Sequence, residues 1–311
     1  MKISGSQAFE NARNNTDRTM HRFYEKNQAY ADIMHKPKFQ LVASDGIFTI
    51  GSCFARNIEN ALHASGVNVL SDVIELPGDY YEIGGARRTG YQNVYTPGSI
   101  YEAVSLATTS RPYHSIIESN GRYVDLLTSG LVPLTKEEVY AIRDGLIVTY
   151  KKLKEAGTLV ITLGYNESWT YIPDGSYTNR APSHMALRRR VDEFSFSRLG
   201  YKQSYDLVAS SLSILRDISP LCKVILTVSP VPLGDTFTSE SVVVANQLSK
   251  ATLRTVATDV AANYSFVDYF PSYEIIMNSD RSKTFLNDGM HVQGPAVENV
   301  IRQFTACYFN S

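Results

Sequence analysis

Two near-continuous apolar runs, Thr158-Leu159-Val160-Ile161-Thr162-Leu163 and Lys223-Val224-Ile225-Leu226-Thr227-Val228, constrain this 311-residue chain more than any other feature. A strand wet on one face alternates apolar and polar side chains. A strand apolar at nearly every position is covered on both faces, as in a parallel sheet between helical layers. The segments around the runs fit that arrangement. Ile47-Phe48-Thr49-Ile50 is a short β-type run, after which Phe54, Ile58, Ala61 and Leu62 recur at helical spacing and Gly66 supplies a helix stop. Val67-Asn68-Val69-Leu70 reads as a second strand, and 265–270 as a fifth. Helical patterns fall at 99–108, 202–218, 239–262 and 295–308. A further helix starts at Thr135 with Glu138 three residues on, and runs to about Ala156. Alternating strands and helices predict an α/β fold.

No repeat or low-complexity linker divides the chain. It is expected to hold an N-terminal arm over 1–45, packed on one domain over 46–311. Residues 71–98 are loop-rich, with Gly84-Gly85 among them. A stretch at 165–201 interrupts the alternation with Pro173, Asp174-Gly175, Pro182 and Arg188-Arg189-Arg190. It leaves a strand's C-terminal end, where open α/β sheets place their ligands, so it is either a cap over a site or a solvated excursion whose arginines pair with Asp192 and Glu193.

Thirty basic residues against 31 acidic ones leave a net charge of −1, which gives no electrostatic case for nucleic acid or an anionic membrane. No apolar run approaches the roughly 18 residues of a membrane helix, and MKISGSQAFENARNNTDR is polar where a signal peptide is apolar. Cys53, Cys222 and Cys307 are odd in number and far apart, which argues against a disulfide framework or a zinc site and for a reducing, cytoplasmic setting. Neither a metal nor a dinucleotide fingerprint is indicated. The 20 tyrosines suit a cleft for polar organic ligands, although most are expected to be ordinary core and surface residues.

The chemistry centres on Cys53. It follows Gly51-Ser52 at a strand-to-helix turn, where a helix N-terminus stabilises a thiolate and offers N–H groups to an oxyanion. A thiol needs a base, and the base needs an orienting group. Among six histidines, His291 stands three residues after Asp288 and just before Gly294-Pro295 opens the last helix. Directly after the third strand, Gly164-Tyr165-Asn166-Glu167-Ser168-Trp169 could aim the Asn166 amide into the cleft, with Gly164 letting a substrate approach the backbone; as a plain turn it would do neither. Asn246, Ser249 and Lys250 share a helix face that either lines this cleft or faces solvent. Cys222 and Cys307 read as core filler.

The order nucleophile, Gly-x-Asn, Asp-x-x-His resembles that of the SGNH (GDSL-like) hydrolases, with Cys53 in the serine's position. A closer resemblance is to the GSCFA family, carried by Gly51-Ser52-Cys53-Phe54-Ala55, Asn93-Val94-Tyr95-Thr96-Pro97, Thr162-Leu163-Gly164 with Glu167 and Trp169, Leu226 to Leu233, Val244-Ala245-Asn246 with Ser249-Lys250, Asp268 to Glu274, and Asp288-Gly289-x-His291. These blocks span roughly 45–300 in order. The family's usual glycine before Asn-x-Tyr is Gln92 here. The resemblance implies a three-layer sandwich around a five-stranded parallel sheet in the flavodoxin-type order 2-1-3-4-5. It also implies relatives that act as esterases, deacetylases and O-acyltransferases on carbohydrates and lipids.

Two functions are therefore expected. One is an acyl-ester or thioester hydrolase or O-acyltransferase acting on a carbohydrate or related small molecule. Its Cys53, His291 and Asp288 form a triad, the Cys53 N–H and either Asn93 or Asn166 bind the oxyanion, and Glu167, Trp169, Asn246 and Lys250 line the site. It needs no cofactor, and an acyl-CoA-type donor would enter as substrate. The other is a non-catalytic carbohydrate- or acyl-carrier-binding module that keeps the fold.

Overall fold

The computed structural model describes residues 2–27, 29–42, 44–71, 74–82, 90–182 and 185–309, so Gly84-Gly85 lies outside the described residues. In chain order the strands are β1 (Gly46–Gly51), β2 (Ile116–Ser119), β3 (Arg122–Asp125), β4 (Ala156–Leu163), β5 (Glu167–Tyr171), β6 (Ser176–Thr178), β7 (Phe194–Arg198), β8 (Lys223–Val228) and β9 (Val267–Tyr269). The helices are α1 (Gly5–Asn14), α2 (Met20–Lys26), α3 (Cys53–Ala64), α4 (Pro97–Ser105), α5 (Lys136–Lys151), α6 (Met185–Arg188), α7 (Tyr201–Ile218), α8 (Val242–Asn263), α9 (Ser272–Met277), α10 (Arg281–Thr284) and α11 (Gly294–Tyr308).

The two apolar runs become β4 and β8, neighbours at the centre of a parallel sheet ordered β1-β4-β8-β9. Alternate residues of each strand enter opposite cores. Phe48, Ile161 and Leu226 pack with Leu146, Leu212 and Leu253 of α5, α7 and α8. Ile47, Val160 and Ile225 pack with Phe54, Ile58 and Phe304 of α3 and α11. Helices thus cover both faces, which is why both central strands are apolar throughout.

Among the described residues the central sheet has four strands where the sequence predicts five. Residues 67–70 make only an isolated parallel bridge, Val69 beside Ile47. Ile47 N–H donates to Asn68 O and Leu70 N–H to Ile47 O, both at 2.8 Å. The next β1 donor, Thr49 N–H, goes instead to the Ser71 hydroxyl (3.1 Å), which itself donates to Glu59. A side chain takes over from backbone there, so the ladder stops.

The predicted helix to Ala156 ends as an α-helix at Lys151, and a 3₁₀ turn over Lys152–Glu155 leads into β4. Within 165–201, β5, β6 and β7 form a small antiparallel sheet, ordered β6-β5-β7, set after the C-terminal end of β4. Of its arginines, Arg190 pairs with Glu193 and also donates to Glu118 O. The N-terminal segment packs against the last helix and β9: Leu41 N–H donates to Tyr308 O (2.7 Å), and His35 meets Asp268 of β9 at 3.1 Å.

The corner after β1 is tightly specified. Gly51 has φ +147°, and a Cβ there would stand 2.5 Å from the carbonyl oxygen of Thr162, its partner on β4. Only glycine fits without strain. Gly51→Ala is expected to lower stability by about 2 kcal/mol or more, from clash and strained backbone together. Urea unfolding would register this as a lower midpoint at unchanged m-value.

Candidate active site

Ser52 ends the corner and caps α3, its hydroxyl accepting the Phe54 N–H (3.4 Å) and donating to Ser229 Oγ (3.0 Å). That second bond ties the end of β1 to the end of β8. Cys53 is therefore the first residue of α3, on the rim formed by the carboxyl ends of the strands, and it is partly exposed. The other thiols differ. Cys222 is fully buried, and burial pushes its thiol up to about 12; burial also raises Cys307.

A cavity of about 420 Å³ opens over this rim, lined by Cys53 and His291 together. His291 comes from a closed loop in which Leu286 N–H donates to His291 O and Gly289, at φ +69°, makes the turn. Asp288 organises the loop. Its Oδ1 accepts the N–H groups of Met290 (2.8 Å) and His291 (3.0 Å), and its Oδ2 lies 2.6 Å from His291 Nδ1. A carboxylate only accepts, so Nδ1 carries the proton and neutral His291 has Nε2 available as a base.

These hydrogen bonds, the His291 side chain's first, hold the Asp288 carboxyl down to about 2. A carboxylate lowered on folding supports the native loop above its ordinary pKa and withdraws that support as pH falls through about 2. Asp288 thus stays ionised well below neutral pH.

The insertion supplies one wall: Glu167, Trp169, Thr178, Asn179 and Arg180. Glu167 is buried and accepts from the Thr236 hydroxyl (2.7 Å) and the Phe237 N–H (3.2 Å), anchoring the opposite loop. Trp169 packs against Phe196 and Phe237 at centroid distances of 5.2 and 5.1 Å, an aromatic wall. Gly164 lines the floor, where a Cβ would stand 2.7 Å from Tyr95 O, and Tyr95 stacks on Tyr165 at 5.5 Å. Arg180 pairs with Glu82 at 2.6 Å.

Four predicted residues stand away from this cavity. Asn93 is buried behind Tyr95, with its amide nitrogen on the Tyr95 hydroxyl (3.3 Å). Asn166 is buried too; its amide nitrogen donates to Leu199 O (2.8 Å) and its backbone N–H to Ser249 Oγ (2.9 Å), which fastens the insertion to α8. Asn246 accepts the Leu233 N–H (2.9 Å). Lys250 is fully buried, its ammonium donating to the carbonyls of Gly164 (2.7 Å), Ser229 (2.8 Å) and Val231 (2.7 Å). Burial pulls Lys250 down to about 7, and the charge of Cys53 opposes that pull.

Sequence reasoning passed over Asn179. It lines the cavity, donates to Asn93 O and accepts the Tyr95 N–H (3.3 Å), but it sits in no motif. Tyr95 lay within a matched block and was legible there.

The family model for GSCFA matches residues 46–304, from the first sheet strand into the last helix. The chain belongs to the GSCFA family. No match was found among curated proteins. Solved structures similar to it include a family 3 carbohydrate esterase of Clostridium thermocellum (TM-score 0.36, 10% identity, covering 85% of this chain and 94% of that chain). Another is a putative platelet activating factor from Streptococcus pneumonia (0.41, 10%, 97% and 99%). A third is a putative GDSL-like lipase from Parabacteroides merdae (0.36, 11%, 86% and 98%). Among the described residues, no group of three or more His, Cys, Asp or Glu could hold a metal, and no helix is long and apolar enough to cross a membrane.

Proposed function

We propose that this GSCFA protein is an acyl-ester or thioester hydrolase, or an O-acyltransferase, with Cys53 as nucleophile, His291 as general base and acid, and Asp288 as the residue that orients the imidazole. The observation that carries the proposal is that Cys53, at a helix N-terminus, and an imidazole fixed by a carboxylate through Nδ1 line one cavity.

His291 Nε2 takes the thiol proton, and the resulting thiolate Sγ forms a bond to the acyl carbon while the imidazolium holds the proton for the leaving group. The oxyanion develops beside the N-terminus of α3, whose dipole favours negative charge. The C–O or C–S bond to the leaving group then breaks, and His291 returns the proton to it. A water or an acceptor hydroxyl, deprotonated by His291, releases the acyl group and regenerates the thiol. An acyl-CoA-type donor would enter as substrate, with no resident cofactor.

The lining favours a polar acceptor. Thr96, Ser129, Thr178 and Asn179 put polar groups on the cavity wall. Each is already bonded within the protein, but its hydroxyl or carbonyl oxygen can accept more than one bond. Trp169 and Phe237 offer faces on which a sugar ring can stack. A carbohydrate or similar polyhydroxylated molecule meets both.

Iodoacetamide labelling of Cys53 against pH tests the pair. The parent should show a thiolate plateau extending below pH 7, and His291→Ala should move it toward the ordinary thiol range, about 8.5. Slow labelling with an ordinary profile in both would make the protein a binding module with a structural cysteine.

A further inference from the structure

Behind the loop that walls the candidate active site lies a second cavity of about 330 Å³. The two share Pro232, Leu233 and Gly234 as a partition. Consecutive residues serve the two sides, since His291 faces the first cavity and Met290 the second. The partition is thin at Gly234, where even a Cβ would come within 3.4 Å of Met290 Cε.

The cavities differ in chemistry. The second is lined by Val242, Val243, Tyr273, Met277, Phe285 and Met290. Of its polar neighbours, Asn246 Oδ1 bonds Leu233 N–H, Lys250 bonds three carbonyls, and Arg281 bonds Gly289 O while its guanidinium lies over Phe285; Gln247 and the Tyr273 hydroxyl also border the space. Most of what faces the space is hydrocarbon, and Val243 is 65% and Met277 38% exposed. Apolar surface of this kind gains free energy when an apolar group covers it.

We infer that the second cavity holds the acyl chain of the substrate, so that the bond attacked by Cys53 joins a medium-length aliphatic acyl group to a polar alcohol or thiol seated in the first cavity. This rests on the acyl-transfer reading above. The chain would pass over the Gly234–Met290 partition, beside the imidazole that serves the reacting carbonyl.

The p-nitrophenyl esters from acetate to decanoate test this, in the parent and in Val243→Trp. That substitution adds bulk to the cavity lining from an exposed position of α8 outside the catalytic residues. The parent's kcat/KM should climb about three- to fourfold per methylene through the middle of the series. Val243→Trp should flatten the climb, so that the ratio of octanoate to acetate kcat/KM falls at least about tenfold below the parent's. A parent preference for acetate, or an unchanged climb in Val243→Trp, overturns the inference.

Failure of the acyl-transfer reading itself would appear as no turnover of any ester. In that case displacement of cis-parinaric acid by octanoate from Cys53→Ala still decides. Displacement that Val243→Trp weakens supports an acyl site, whereas no binding overturns it. A concentration-dependent dimer that Val243→Trp abolishes, without octanoate binding, would also overturn it and assign the face to a second copy of the chain.

Discussion

Cys53→Ala is expected to lose ester turnover by at least about 10⁴-fold, and His291→Ala by a similar factor, with the double variant no worse than either. The lack of additivity follows from the roles. In the proposed mechanism the imidazole acts on the sulfur's proton, so removing either would leave the other with nothing to do. Folding should be unaffected, because Cys53 is a partly exposed first residue of α3 and alanine is the best helix former. The helix cap, built by Ser52, remains. Asp288→Ala should cost less than either, since the Asp288–His291 pair is about half exposed and water can replace the carboxylate at Nδ1. Initial rates with an activated ester, alongside urea midpoints for each variant, give the result. Retention of more than a tenth of parent activity in Cys53→Ala would remove the cysteine from the chemistry.

Features governed by local physics were legible in the sequence. Strands buried on both faces announce themselves by apolar continuity, and β4 and β8 fall within two residues of the apolar runs at 158–163 and 223–228. The Asp288–His291 loop is local too, built from hydrogen bonds within a few residues, and so is the Ser52 cap at the corner, although its Ser229 bond and the close approach of Thr162 are long-range. The hairpin of β2 and β3 was also written locally, in Asn120-Gly121, both at positive φ, the two-residue turn that suits a twisted hairpin. That signal went unused.

What periodicity could not supply was depth and direction. Asn166 follows a glycine at a strand end, as an oxyanion donor would, yet its amide is spent on Leu199, 33 residues away. Lys250 shares a helix face with Asn246 and Ser249, and that face turns under the site rather than into it. Nor could spacing foresee Asn179 and Arg180. Their place depends on the antiparallel pairing of Glu167–Tyr171 with Phe194–Arg198 and Ser176–Thr178, long-range contacts without a sequence period. The strand expected at 67–70 shrank to a bridge for a comparable reason, the capture of a β1 donor by the Ser71 hydroxyl.

Lys250→Met should destabilise the protein by about 3 to 4 kcal/mol while keeping the volume of the side chain. The ammonium is the one partner described for three carbonyls at the ends of β4 and β8, and a thioether donates to none of them. Each buried carbonyl left unmatched costs about 1–3 kcal/mol. Relief of the buried charge and relaxation of the loop offset part of that sum, which keeps the net near the cost of breaking a buried ionic network.

The pH dependence separates this role from simple packing. Burial holds the folded pKa near 7, against 10.5 for a free lysine. Between those values the native protein binds fewer protons at this site than the unfolded chain, so the parent's stability rises with pH through Lys250. The methionine variant lacks that rise, and the stability gap between the two should widen from pH 7 toward pH 10. Urea midpoints at pH 6.5, 8 and 9.5 would measure it. A constant gap would mean that the lysine is held with its ordinary pKa, and a gap near zero would mean that the three carbonyls find other partners when it is gone.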